Sequence, residues 1–269
     1  MLKAQPSARH GRTLKLHREE VSGEVSIAQL PPQSPEKLLI DRDGTALAIS
    51  NSNLGVGVAA HSPHRTGRGG ARNHADRESR ELSAAHVGNL IDAVRHADAI
   101  GLPLNRMITI HWEAAGIPLE GMAKATGRFT GLMAKALQRH GSQTAWLWVH
   151  EGGEREGGHC HMLAHVPADL VPVVTKLQKG WLGRITDSPY RKDVICSKPI
   201  GGRLGIEASN PDLYAANLDT VLEYVLKGAS QEATSHYGLT RLKAGGCVIG
   251  KRCGTSQNIG AKARSIARP

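Results

Sequence analysis

The chain has 269 residues, 34 Lys and Arg against 24 Asp and Glu, a net charge of +10 and a pI near 9.7. This length allows one ordinary domain with extensions, and the charge favours a polyanionic partner. No apolar run approaches the roughly 18 residues of a membrane span, and the start lacks the apolar core of a signal peptide. Four scattered cysteines lack the spacing of a disulfide framework or a zinc site. We therefore expect a soluble, cytoplasmic protein with no membrane partner.

Composition divides the chain into three parts. Residues 1–80 mix Pro, Ser, Gly, Arg and His with short apolar runs, which predicts a basic and mostly disordered arm. Residues 81–235 show regular hydrophobic periodicity and predict the folded domain. Residues 236–269 contain no acidic residue and predict a basic C-terminal tail. The tail residues expected to bind DNA phosphates are Lys251, Arg252, Lys262 and Arg264.

The folded part predicts alternating helices and strands. In chain order these are a helix from Ser83 to Gly101, a strand 107–112, a helix 119–140, a hairpin of strands 144–151 and 159–166, a helix 169–182, a strand 193–200 and a helix 212–227. Glycines between 152 and 158 predict the hairpin turn. This order favours an α+β fold, in which helices pack on one face of an antiparallel sheet and leave the other face free for a site.

Two histidines on the second hairpin strand are candidate metal ligands. Side chains alternate along a strand, so His159 and His161 share one face while Cys160 points to the other. Their Cα atoms are then about 6.6 Å apart, close enough for both imidazoles to reach one cation.

Glu151 is the predicted third ligand. If the hairpin turn is centred on Arg155, Glu151 lies opposite His159 and on the same face. A single bulge in the turn would place His150 there instead, and Glu154 and His111 also remain candidates. Imidazole, carboxylate and water ligands favour Mg²⁺ or Mn²⁺.

The last predicted helix carries Tyr224 and Lys227, three residues apart and therefore on one surface. A phenol beside an ammonium suits a nucleophile beside a phosphate anchor. The alternative is that Tyr224 is a core residue next to Val221 and Leu222.

These residues resemble the three motifs of the HUH endonucleases, in the order found in the initiators of rolling-circle replication. The motifs are Ile108-Thr109-Ile110, His159-Cys160-His161 and Tyr224-Val225-Leu226-Lys227. The resemblance covers about 105–228, and it includes a single tyrosine in the third motif. Thr109 sits in a strand that looks buried, and we assign it no chemistry.

The resemblance implies an HUH/RRM-like nuclease domain and a divalent metal held by both histidines and one further polar side chain. It implies that Tyr224 becomes linked to a DNA 5′-phosphate and frees a 3′-hydroxyl that primes synthesis on a plasmid or phage. The implied partners are single-stranded or origin DNA and host replication proteins. Alternative interpretations are a single-strand transposase or mobilisation relaxase of the same superfamily, and a non-catalytic module that binds single-stranded nucleic acid.

One further motif is rejected. Gly245 to Lys251 has the glycine and lysine spacing of a phosphate-binding loop, but Arg252 stands where Ser or Thr would hold Mg²⁺. No predicted strand leads into it, so we do not expect a nucleotide triphosphatase.

Overall fold

In the computed structural model the described residues are 77–153 and 157–267. Nearly all of the predicted arm, residues 1–80, therefore lies outside the described residues. The described residues all belong to one compact unit. None of its described helices is long and apolar enough to cross a membrane.

The described chain contains seven strands and seven α-helices. The strands are β1 (Glu78–Ser79), β2 (Arg106–His111), β3 (Trp146–Gly153), β4 (Gly157–Ala164), β5 (Ile195–Pro199), β6 (Val248–Ile249) and β7 (Cys253–Thr255). The helices are α1 (Ala84–Ala99), α2 (Met122–Arg139), α3 (Val171–Thr186), α4 (Ile206–Ser209), α5 (Pro211–Val225), α6 (Gln231–Tyr237) and α7 (Ala261–Ile266). Short 3₁₀ turns occupy several of the connections.

The predicted α+β class with an antiparallel sheet is confirmed. Five strands lie in the order β5-β2-β4-β3-β7, and β1 pairs with β6 in a separate ribbon. Strand β4 is central, between β2 and β3. Its register places Glu151 opposite His159 and Thr109 opposite His161. The predicted hairpin register is therefore also confirmed.

Helices cover both faces of the sheet, which corrects the predicted single helical face. Cys160 and Met162 point into a core shared with α2 and α3. Leu147 and Leu163, on the opposite face, pack in a second core with α1 and α5. The strands bury apolar side chains in both directions, and a sheet with two apolar faces must be covered twice. The polar cluster of His159, His161 and Glu151 shares this second face.

Helix α5 ends earlier than predicted. Asn210 caps its start by accepting a hydrogen bond from the Leu213 N–H, and Pro211 occupies the first turn, where its missing N–H costs nothing. The helix ends at Val225, so Lys227 lies in the turn that follows. Its side chain is consequently directed by the turn towards the sheet.

The predicted basic tail is part of the fold, which corrects the domain boundary at residue 235. Strand β7 extends the sheet by pairing Cys253 with Val149 and Thr255 with Leu147. Cys253 and Ile259 are buried in the core shared with α1 and α5. Burial of these apolar side chains holds the segment against the sheet even though its strands have only two or three residues.

Arg252, which was predicted to bind DNA phosphates, is buried within this C-terminal segment. It is 3% exposed, and its guanidinium donates to the Ser79 hydroxyl at 2.9 Å and to the Gly246 carbonyl at 2.6 Å. It also donates to the Ser79 carbonyl. The residue predicted as a direct DNA contact thus ties β1 to the segment before β6, because its donors are engaged by the protein itself.

We expect Arg252→Ala to lower the free energy of unfolding by about 3 kcal/mol, since charged hydrogen bonds and buried carbonyl partners are lost together. Urea unfolding measures this effect. The matched control is Lys262→Ala on the exposed surface of α7, which should stay within about 0.5 kcal/mol of the parent protein. Equal midpoints for both variants would contradict this anchoring role.

Candidate metal centre

The hairpin brings three candidate ligands together in the interior. The Nε2 atoms of His159 and His161 lie 3.3 Å and 3.8 Å from the same carboxylate oxygen, Oε2 of Glu151. Ligand atoms of the three residues all lie within 4.8 Å of one another, and the side chains are at most 5% exposed. Neighbouring ligands around an octahedral ion with bonds of about 2.1 Å are about 3 Å apart, so the set needs only small adjustments to hold one.

Hydrogen bonds behind the two imidazoles determine which nitrogen faces the cluster. Nδ1 of His159 donates to the Gly157 carbonyl at 2.9 Å, because a carbonyl can only accept. In its neutral form His159 therefore presents the Nε2 lone pair to Glu151. Two acceptors at 3.3 Å require a proton or a metal cation between them.

Lys227 bonds the other oxygen of the same carboxylate. Its Nζ atom lies 2.5 Å from Oε1 of Glu151 and 3.3 Å from Nε2 of His161. Since an ammonium only donates, Nε2 of His161 accepts, and Nδ1 of that ring carries the proton. The predicted phosphate anchor thus also orients the candidate ligands.

Charges in the cluster shift the pKa values of its members. Burial raises the pKa of Glu151, but hydrogen bonds from His159 and Lys227 outweigh this and lower it to about 2. Burial, followed by the nearby Lys227 charge, lowers the pKa of His161 to about 3. Burial also lowers the pKa of His159, yet its bonds to Glu151 and Gly157 leave it raised. At neutral pH Glu151 is therefore an anion and His161 a neutral ligand.

Tyr224 packs directly on this cluster. Its ring meets the His161 ring edge-on, with centroids 5.0 Å apart, and Lys227 Nζ lies 4.1 Å from the centre of the tyrosine ring. The ring is half-buried in the core beneath α5. The structure therefore brings the predicted nucleophile and anchor together with the predicted ligands.

Thr109 has a role that the sequence analysis did not assign. Its hydroxyl lies 3.1 Å from Nδ1 of His161, its partner across β2 and β4. Because that nitrogen carries the proton, the threonine oxygen accepts and holds the ring with Nε2 towards Glu151. Side-chain parity could have indicated the shared face, but only the strand order makes these residues neighbours.

The structure shows where the alternative third ligands lie relative to the cluster. His150 points to the opposite face, where Nε2 accepts from Thr126 at 2.8 Å and Nδ1 donates to the Lys251 carbonyl at 2.9 Å. Burial lowers its pKa to about 4, so it is a neutral residue of the core. His111 stacks on His159 with centroids 5.5 Å apart and flanks the cluster. Glu154 lies outside the described residues.

The remaining predicted DNA contacts are spread over the C-terminal segment. Lys251 is exposed, and its Nζ lies 5.6 Å from the Trp148 ring. Lys262 is exposed on α7. Arg264 is half-buried and donates to the Ile259 carbonyl and to the Asn89 side chain at 2.6 Å and 2.7 Å. Their DNA contacts remain predictions.

No protein-family model, curated protein or solved structure matches the chain. The functional assignment therefore depends on the geometry of the cluster and on the motifs in the sequence.

We expect His161→Ala to weaken Mn²⁺ binding by about 100-fold, because it deletes one of three ligands in a buried cluster. Calorimetric titration of the apoprotein measures this affinity. The control is Cys160→Ser on the adjacent position of β4, which points to the opposite core and should bind Mn²⁺ as the parent does. Equal affinities in the two variants would rule out the cluster as the metal site.

We expect Thr109→Val to weaken Mn²⁺ binding by about tenfold, the usual cost of losing a group that orients a histidine ligand. Thr109→Ser keeps the hydroxyl and should retain most of the affinity. The same titration compares both variants, and indistinguishable affinities for valine and serine would show that the hydroxyl does not orient His161.

Proposed function

We propose that the protein cuts and rejoins single-stranded DNA through a covalent link between Tyr224 and a 5′-phosphate. Glu151, His159 and His161 would hold Mg²⁺ or Mn²⁺, and Lys227 would bind beside them. The resemblance to rolling-circle initiators supports the biological role, which is initiation of plasmid or phage replication at an origin.

One observation carries this proposal. The turn after α5 inserts Lys227 between Glu151 and His161, which precede it by 76 and 66 residues, and places Tyr224 against the same histidine. A tyrosine and a lysine of the third motif therefore meet the histidine pair of the second motif in space. A tyrosine that only packed in the core would not need a lysine and a histidine beside its ring.

The reaction is a transesterification. The phenolic oxygen of Tyr224 forms a bond to phosphorus, and the bond from phosphorus to the 3′ oxygen breaks. The phenol proton is lost, and a proton is gained by the leaving 3′ oxygen, so neither water nor ATP is consumed. Attack by a 3′-hydroxyl on the phosphotyrosine reverses these steps and rejoins the strand.

Lys227 is suited to activating the tyrosine. A phenol with a pKa of about 10 is mostly protonated at neutral pH. A nearby ammonium favours the anionic form of the phenol. Glu151, with its pKa held near 2, is a poor base and serves to position Lys227 and the histidines. A bound divalent ion would supply charge stabilisation at the scissile phosphate.

We expect Tyr224→Phe to abolish covalent adducts with DNA, because the change removes only the nucleophilic oxygen. The assay incubates the full chain with Mn²⁺ and a labelled pool of single-stranded oligonucleotides, followed by denaturing electrophoresis. The control is Tyr214→Phe, which removes a hydroxyl that donates to the Leu104 carbonyl inside the core. This variant should still form adducts.

Adduct formation by Tyr224→Phe would contradict the assignment of the nucleophile. DNA binding by the parent protein without any adduct, across the whole pool and with Mn²⁺ present, would instead favour a non-catalytic single-strand binding module.

A further inference from the structure

A cavity lined by several charged residues lies at the outer edge of the sheet. Its volume is about 560 Å³, and it is bounded by residues 77–83, by the first turns of α1 and by residues 250–255. It lies beyond β7, whereas the metal cluster lies on β3 and β4. The cavity falls within the range of about 300–1,000 Å³ that is usual for sites holding a small ligand or one unit of a polymer.

The lining of this cavity is cationic. The lining contains four cationic side chains and two carboxylates. The cations are Arg77, Arg80, Lys251 and Arg252, and the carboxylates are those of Glu78 and Glu81. Three of the four cations are exposed, and Arg252 is buried. The lining therefore carries excess positive charge, which suits an anionic ligand.

Arg252 adds a buried charge that interacts with Glu151 and Glu81 only at a distance. Its five N–H groups point to neutral oxygens, which belong to Ser79, Gly245, Gly246 and His150. Within the described residues no carboxylate forms an ion pair with it. Neutral dipoles orient and solvate the guanidinium but leave its charge in place. It acts on the cavity through its field, while the exposed cations are available for contact.

The first turn of α1 also faces the cavity. Ser83 caps this helix of 16 residues, and no acidic residue occupies its first turn. The partial positive charge of a helix start adds to the field of the arginines. Consistent with this field, burial and then the charges of Arg77 and Arg252 lower the pKa of His86 at the same place.

One part of the cavity lining pairs with β3, the strand that carries Glu151. The His150 N–H donates to the Arg252 carbonyl at 2.7 Å, so the chain before β7 runs one strand spacing, about 4.8 Å, from β3. The next residue of β3 is Glu151. Arg252, which lines the cavity, also interacts electrostatically with Glu151, so the charges of the cavity and of the cluster act on each other.

We propose that this cavity holds a backbone phosphate of single-stranded DNA that flanks the scissile phosphate, with Arg77, Arg80 and Lys251 as direct contacts. The inference rests on the proposed nicking function and names the part of the substrate that the second site binds. It also explains the segment Gly245 to Lys251: Gly250 and Lys251 line a phosphate site, while Arg252 takes the position of a metal-binding hydroxyl and supplies buried charge.

Equilibrium binding without metal tests this site separately from cleavage. Full-length Tyr224→Phe protein in EDTA is titrated with fluorescein-labelled oligo-dT over a series of salt concentrations. The test variant adds Arg80→Gln and Lys251→Gln. The control instead adds Lys124→Gln and Lys135→Gln, which remove the same charge from exposed positions of α2.

The test variant should bind about tenfold more weakly, and the slope of log affinity against log salt should fall by about 0.7 for each lost contact. The control should keep the slope of its parent. Equal slopes in test and control would overturn the proposal. Binding of thymidine monophosphate as tight as that of oligo-dT would also overturn it, because the cavity would then be a free-nucleotide site.

Failure of the nicking proposal gives a different result. If no adduct forms in the cleavage assay but the test variant still loses affinity and slope, the cavity binds DNA in a protein that does not cut it. All four substituted positions are exposed, so circular dichroism should show an unchanged fold.

Discussion

The carboxylate of Glu151 joins the end of α5 to the central hairpin. Lys227 bonds one of its oxygens and both histidines face the other. Burying such charges costs several kcal/mol per ion unless each meets a close partner, so each element supplies the partner that the buried charge of the other requires. The hairpin register sets the spacing of the candidate ligands, and Lys227 connects them to the helix end that carries Tyr224. A change that moves α5 would consequently also move Tyr224 relative to the candidate ligands.

The C-terminal segment contacts both parts of the same arrangement. The Lys243 N–H donates to the Lys227 carbonyl at 2.8 Å, and the Gly152 N–H donates to the Gly245 carbonyl at 2.9 Å. A Cβ atom on Gly246, which has a positive φ, would clash with the carbonyl oxygen of Gly152, so only glycine allows the segment to approach β3 this closely. The segment thus spans from the turn that carries Lys227 to the end of the strand that carries Glu151. A chain cut before it would lose support for both.

Local patterns predict the parts of this site that lie within one hairpin or one helix. Side-chain alternation and a centred turn correctly placed Glu151 with His159 and His161. The contact between Thr109 and His161 was missed because it depends on strand order, which no local pattern reports. Strand β7 was missed because three residues give too little periodicity, and its basic neighbours resemble a solvated tail. Arg252 looked like a phosphate ligand because composition does not reveal burial.

The charges on the cluster suggest how substrate and metal would depend on each other. At neutral pH one carboxylate faces one ammonium, and His161 adds no charge because its pKa is held near 3. A divalent ion would therefore leave the site strongly positive, with Arg252 close enough to interact with Glu151. A phosphodiester brings the missing negative charge, so each should favour binding of the other by the same coupling free energy. If the basic cavity beside β7 holds a flanking phosphate as proposed, it would strengthen this coupling, because phosphates of one strand would meet both positive regions together.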